Sequence, residues 1–281
     1  MGRNKLELVR EEKLFRLLPG RSEKSRLEAS GVALLDDATA LVVFDNLNQV
    51  ARIDLSLKRR RTNGLFPAPS LGAGFEDIAI DRRQGRFLCL VESVEDFDGI
   101  HRSFVAEYDS EGHFLACTRL PSRLRKANKG FEGLAHEWLG SREYLYALSE
   151  GNVGPSGQRG GQIEVFLRDA SGWKASRRIR LPKQANFDDY AALAYRDGQV
   201  AIVSQESARL WVARLDRKAR GVVPGSEAVY RFPSKSYGNV EGIAWLSRDT
   251  LVAVSDRRKR DQPERCSAKD QAIHVFRIPA E

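Results

Sequence analysis

The sequence predicts an all-β chain folded as a five-bladed β-propeller of four-stranded blades, closed by its N-terminal strand. Three observations predict it. An anchor motif recurs five times, each anchor is followed by the same succession of short apolar strands, and the last repeat is one strand short. Self-similarity at roughly 40 to 50 residues with four strands per unit marks a propeller blade, which needs neighbours to cover its two faces.

The anchors read Ser30-Gly-Val-Ala, Glu76-Asp-Ile-Ala, Glu132-Gly-Leu-Ala, Ala191-Ala-Leu-Ala and Glu241-Gly-Ile-Ala, at spacings of 46, 56, 59 and 50 residues. Each begins a first strand. A second apolar strand follows and ends in a polar residue, at Asp45, Glu92, Glu150, Gln205 and Asp256. Third strands come at Val50-Ala-Arg-Ile, Phe104-Val-Ala-Glu, Ile163-Glu-Val-Phe, Leu210-Trp-Val-Ala and Ile273-His-Val-Phe. The fourth segments end in an apolar residue and proline: Phe66-Pro67, Leu120-Pro121, Leu181-Pro182 and Phe232-Pro233. Proline suits the end of an outer edge strand, where a missing N–H does little harm. After the fifth anchor only three strands precede Glu281. The segment Lys5 to Leu18, which ends in Leu18-Pro19 like the others, is read as the missing strand, leaving no open seam. Residues 1–281 then form a single domain.

Composition narrows the function classes. Apolar residues make up 42% of the chain, enough for a core, and no apolar run is long enough for a membrane-spanning helix. Met1 to Glu12 is polar and charged, unlike a secretory signal, and the three cysteines are scattered. A reducing, cytoplasmic setting is expected. The net charge is +8, but basic residues are spread evenly without an aromatic-rich patch, so neither a nucleic acid nor a membrane is expected as partner. A monomer is expected.

In a propeller the first strand lines the channel and the second runs antiparallel to it. First-strand starts and second-strand ends therefore share one face, which gathers Glu76, Glu132 and Glu241 with Asp45, Glu92, Glu150 and Asp256. Asp188 and Asp189 precede the fourth anchor, and Asn186 and Asn239 can add amide oxygens. Crowded carboxylates need an offsetting charge. Calcium supplies it by taking about 6 to 8 oxygens. Glu76, Glu132, Glu241, Asp189 and Asn239 are the expected ligands, with Asp45, Glu92, Glu150 and Asp256 behind them. The alternative is that these acids bond turn N–H groups or pair with Arg257, Arg258 and Lys259.

The loops Ser93 to Ser103, Gly151 to Gln162 and Arg257 to Gln271 open on the same face. Long loops on one face often carry function, and Arg257, Arg258 and Asn152 are the candidate ligand contacts. No Gly-x-Ser-x-Gly or His-Glu-x-x-His motif is present. Glu132 and His136 are the candidate catalytic bases, although a histidine down a first strand also suits a channel wall. Ser149, Ser204 and Ser255 recur across blades, which suits structural hydrogen bonding.

The first repeat, Ser30-Gly-Val-Ala through Phe44-Asp-Asn to Val50-Ala-Arg-Ile, resembles an NHL-type repeat. The Glu-Gly-Ile/Leu-Ala anchor is closer to the SdiA-regulated and the esterase-like phytase-related propellers. The resemblance covers nearly the whole chain and implies five blades and a calcium site, with Ser30 and Ala191 departing from the glutamate of the other anchors. Two functional readings stand. One is a binding module that holds a small molecule or protein at the acidic mouth, with calcium. The other is a metal-dependent hydrolase of an ester, lactone or phosphate ester, in which a cation polarises the substrate.

Overall fold

The structure, a computed structural model, describes residues 4–70, 74–95, 99–122, 130–149, 160–216 and 221–280, without the side chains of Glu92 and Ser93. The N-terminal strand is β1 (Glu7–Lys13). Blade 1 comprises β2 (Ala29–Leu34), β3 (Thr39–Phe44), β4 (Leu47–Asp54) and β5 (Gly64–Pro67). Blade 2 comprises β6 (Phe75–Asp81), β7 (Arg86–Glu95), β8 (His101–Asp109) and β9 (Phe114–Arg119). Blade 3 comprises β10 (Phe131–Leu139), β11 (Arg142–Ser149), β12 (Gln162–Asp169) and β13 (Gly172–Arg180). Blade 4 holds β14 (Ala192–Arg196), β15 (Gln199–Ser204), β16 (Arg209–Asp216), the two-residue β17 (Gly221–Val222) and β18 (Ala228–Arg231). Blade 5 takes β19 (Val240–Trp245), β20 (Thr250–Ser255), β21 (Ala272–Arg277) and β1.

Every first strand lies beside the first strands of its two neighbours, in a ring β2, β6, β10, β14, β19 and back to β2. Side chains alternate between the two faces of each strand, and both faces of a blade are covered. The buried apolar side chains accordingly fall into five clusters, one between each pair of adjacent blades. This is why the inner strands read as near-continuous apolar runs.

Closure is as the strand deficit required. β1 pairs antiparallel with β21, placing Glu11 opposite His274, and the Leu6 N–H reaches the Arg231 carbonyl of blade 4 at 2.9 Å. The strand is shorter than expected. It ends at Lys13, and Leu14–Leu17 forms one helical turn. That turn tucks Leu14, Leu17 and Leu18 into the seam between blades 5 and 1, so the Leu-Pro ending here stops a helical turn instead of an edge strand.

The anchor carries a repeated irregularity. In four blades the first strand bulges at the anchor's first residue: Ser30, Glu76, Glu132 and Glu241 each stand as the unpaired extra residue opposite the second strand. A bulge re-aims a side chain and sharpens the local twist. The next residue sits where neighbouring first strands come closest. A Cβ on Gly133 would lie 2.6 Å from Leu193 Cβ, and one on Gly242 would lie 2.8 Å from Gly31 Cα, so the glycines are needed for close approach.

Candidate active site and the two ends of the channel

At the anchor end, Glu241 on its bulge and Asp256 just past β20 face each other across Lys259. Lys259 Nζ lies 3.3 Å from Glu241 Oε1 and 3.5 Å from Asp256 Oδ2. Burial raises the Glu241 carboxyl above its ordinary range against the pull of Lys259, and burial followed by the Glu241 charge pushes Asp256 up to about 8. Asp45 is raised by burial and then by Glu28. Asp256 Oδ1 accepts the Arg257 N–H at 2.5 Å. Asn239, fully buried, donates through Nδ2 to the Asp256 carbonyl at 2.6 Å, and its Oδ1 has no partner among the described residues.

Asp189 accepts the Ser204 hydroxyl and the N–H groups of Gln205 and Glu206, a local cap on the β15–β16 turn. Ser30 donates its hydroxyl to the Phe75 carbonyl, bridging blades 1 and 2. Glu76 and Glu132 are half-buried on their bulges. The Arg258 guanidinium bonds the Gln262 carbonyl at 2.9 Å and Glu264 at 3.0 Å, while Arg257 is exposed. Glu150 and Asn152 lie outside the described residues, as does the side chain of Glu92. At this end the Lys259 ammonium stands between Glu241 and Asp256.

The opposite end opens into a cavity of about 690 Å³. Its floor is the ring Val32, Ile78, Leu134, Leu193 and Ile243, each two residues past an anchor start, and its wall the alanine that follows. Towards the rim stand His136, Glu137, Trp138, Tyr195, Trp245 and the arginines Arg82, Arg83 and Arg196. The arginines tie neighbouring blades together, Arg82 donating to the Leu34 and Leu35 carbonyls at 2.8 and 2.7 Å and Arg83 to Gly140 O at 2.9 Å. Arg83 also lies over the Trp138 ring at 4.4 Å. Tyr195 and Tyr146 stack at 4.9 Å and both donate to Glu137 at 3.0 Å.

Behind His136 lies a buried charge network that the sequence reading missed. Arg86 pairs with Asp81 at 3.0 Å, with Glu143 at 2.6 Å and with Glu107, which also binds Arg168. His136 Nε2 is 3.2 Å from Glu143 Oε1 and 3.9 Å from Asp81 Oδ2. Burial works to raise the Asp81 carboxyl, but the Trp138 indole N–H, His136 and Arg86 outweigh it and hold it below the usual range. Asp81, His136 and Glu143 present ligand atoms within 4.8 Å of one another, a set that could hold a metal ion. Arg86 already gives both carboxylates a cationic partner. The visible signal was the acids set inside apolar strands, Glu107 in Phe104-Val-Ala-Glu-Tyr and Glu143 in Arg142-Glu-Tyr-Leu.

Between the two ends sits Asp77, where three other anchors have glycine. Its buried carboxylate accepts the Leu134 N–H of blade 3 at 2.6 Å and its neighbour Ile78 N–H at 2.8 Å. Burial pushes it well above the usual carboxyl range against both bonds.

The fold and the cavity define a five-bladed β-propeller with an open cavity at one channel end, lined by an oriented histidine. Within that class the chain belongs to the phytase-like family described as "Esterase-like activity of phytase", whose model matches residues 15–257. No curated protein matches the sequence. Among solved structures it is similar to the glutaminyl cyclase of Myxococcus xanthus, at 12% identity over 98% of this chain and 96% of that one, with a TM-score of 0.59. It is similar also to the PQQ-bound aldose sugar dehydrogenase of Streptomyces coelicolor, at 13% identity over 98% of both chains and a TM-score of 0.52. Likeness at such identity shows a shared fold and leaves activity to the site itself.

Proposed function

We propose that the protein is an ester hydrolase whose substrate enters the cavity at the His136 end. The observation that carries this reading is His136 on the cavity wall, fixed by Glu143 at 3.2 Å. An ionised carboxylate only accepts hydrogen bonds, so it selects the tautomer with a proton on Nε2 and leaves the Nδ1 lone pair as the base. A base on an apolar wall can take the proton of an attacking water while the acyl or aryl group of the substrate packs on the floor residues. Family membership supports ester cleavage and leaves carboxylic and phosphate esters as the two substrate classes.

The test is turnover of p-nitrophenyl butyrate and p-nitrophenyl phosphate by the wild type, His136→Gln and Glu143→Gln. The expected result is hydrolysis of one of the two substrates, lost in His136→Gln. Absence of turnover by the wild type, or full turnover by His136→Gln, overturns the reading. The second reading is a module that binds without turnover. The apolar floor and the aromatic rim favour it, and a substrate analogue that protects the wild type against thermal unfolding without being cleaved would establish it.

A further inference from the structure

We infer that Lys259 is the resident cation of the acidic mouth, its ammonium standing where a divalent ion would otherwise bind Glu241 and Asp256. This goes beyond the esterase reading and does not rest on it.

The geometry is that of a delivered charge. Nζ contacts one carboxylate from the first strand of blade 5 and one from the end of its second strand, at 3.3 and 3.5 Å. The lysine reaches them from a loop braced at several points. Its own N–H bonds Gln262 Oε1 at 2.9 Å, the Arg258 N–H bonds Asp270 Oδ2 at 3.2 Å, and the Arg258 guanidinium bonds the Gln262 carbonyl. Lys13 of the closing strand fixes the far side of the loop by its 2.8 Å ion pair with Asp270. Glu241 is only 14% exposed whereas Lys259 is 54% exposed, so the ammonium lies over the carboxylates from the solvent side.

A divalent ion at the same place would need both carboxylates and further oxygens. The unpartnered amide oxygen of the buried Asn239 lies on the residue that clamps the Asp256 turn. The ammonium holds the charge of the two carboxylates. Without the lysine, the two carboxylates face each other uncompensated, and a dication becomes their best partner.

The experiment is thermal unfolding of chelator-treated protein with and without about 5 mM calcium, for the wild type, Lys259→Met and Lys259→Arg. The wild type is expected to show no calcium-dependent shift. Lys259→Met is expected to melt several degrees lower in chelator and to recover most of that loss with calcium. Lys259→Arg keeps the charge and is expected to follow the wild type. A rise of several degrees in the wild type with calcium overturns the inference, as does a Lys259→Met protein that ignores calcium. If Lys259→Met is too unstable to isolate, calorimetric titration of the wild type with calcium decides: no binding heat supports the inference, and millimolar or tighter binding ends it.

Discussion

The two ends of the channel are built from the same five strands and do opposite things with charge. At the anchor end, Glu241 on its bulge and Asp256 past the second strand converge on a loop lysine. At the hairpin end, Asp81, Glu107 and Glu143 withdraw behind the wall, where Arg86 and Arg168 neutralise them, while His136 lines the cavity beside Glu137 and Trp138. Repetition thus marks the end that holds the ring together. The end suited to chemistry is where the repeats differ: the position after the recurring alanine is Leu34, Ile80, His136, Tyr195 and Trp245 in turn.

The largest effect expected from this contrast is on turnover. His136→Gln should lower kcat/KM for the cleaved ester by roughly 10²- to 10⁴-fold, the usual contribution of a general base, while the melting temperature stays near the wild type. Glu143→Gln should lose less, on the order of 10- to 100-fold, because it orients the ring and does not itself take the proton. A loss of stability with no specific loss of turnover would make this histidine a wall residue.

A second histidine sharpens the point. His274, fully buried in blade 5, accepts or donates to Ser255 Oγ at 2.9 Å and faces Glu11 Oε2 at 3.1 Å. The order serine, histidine, acid resembles a hydrolytic triad, but Ser255 and His274 have no exposed surface, and the three residues join β20, β21 and β1. They latch the ring. The hydrogen bond from His274 leads the lowering of the Glu11 carboxyl to about 2, with Lys269 adding to it, while burial lowers His274. The signs agree. Glu11 contributes fully above pH about 4.5 and loses that contribution as pH falls towards 2, about 2 kcal/mol after allowance for its partial exposure. His274 resists protonation in the fold, so acidification below about 6.5 already favours the unfolded chain. The raised carboxyls Asp256, Glu241 and Asp77 act with the opposite sign, so the Glu11 contribution is read from the difference between the wild type and Glu11→Gln. Glu11→Gln should lower the melting temperature at neutral pH, and its difference from the wild type should shrink as pH falls from about 4.5 towards 2, without touching turnover.

The smallest effect lies at the throat. Gly133→Ala drives a Cβ against Leu193 Cβ and N at 2.6 and 2.7 Å, and should destabilise by roughly 1–2 kcal/mol. Gly221→Ala meets nothing within 4 Å and should be neutral in the same melt.

The blades and their order were legible because each strand must present apolar side chains to two neighbours, and that demand leaves a period in the sequence. The closing strand was legible by counting, though not its end: whether Leu14 to Leu18 continues as strand or turns depends on the seam it fills, which is a tertiary matter. The gathering of Glu241 and Asp256 followed from strand direction alone. That Lys259 covers them was open in the sequence, since Arg257, Arg258 and Lys259 compete and only the fold of the loop selects one. The Asp81, Arg86, Glu107, Glu143 and His136 network was not read, because its members come from five strands in two blades and pair by sheet register.

The central claim is that chemistry belongs to the His136 end. Its most direct test is kcat/KM of the wild type, His136→Gln and Lys259→Met on p-nitrophenyl butyrate and p-nitrophenyl phosphate, at one temperature where all three are folded. The account expects His136→Gln to fall at least about 100-fold and Lys259→Met to stay within about twofold. Turnover that survives in His136→Gln, or that is absent from the wild type on both substrates, contradicts it.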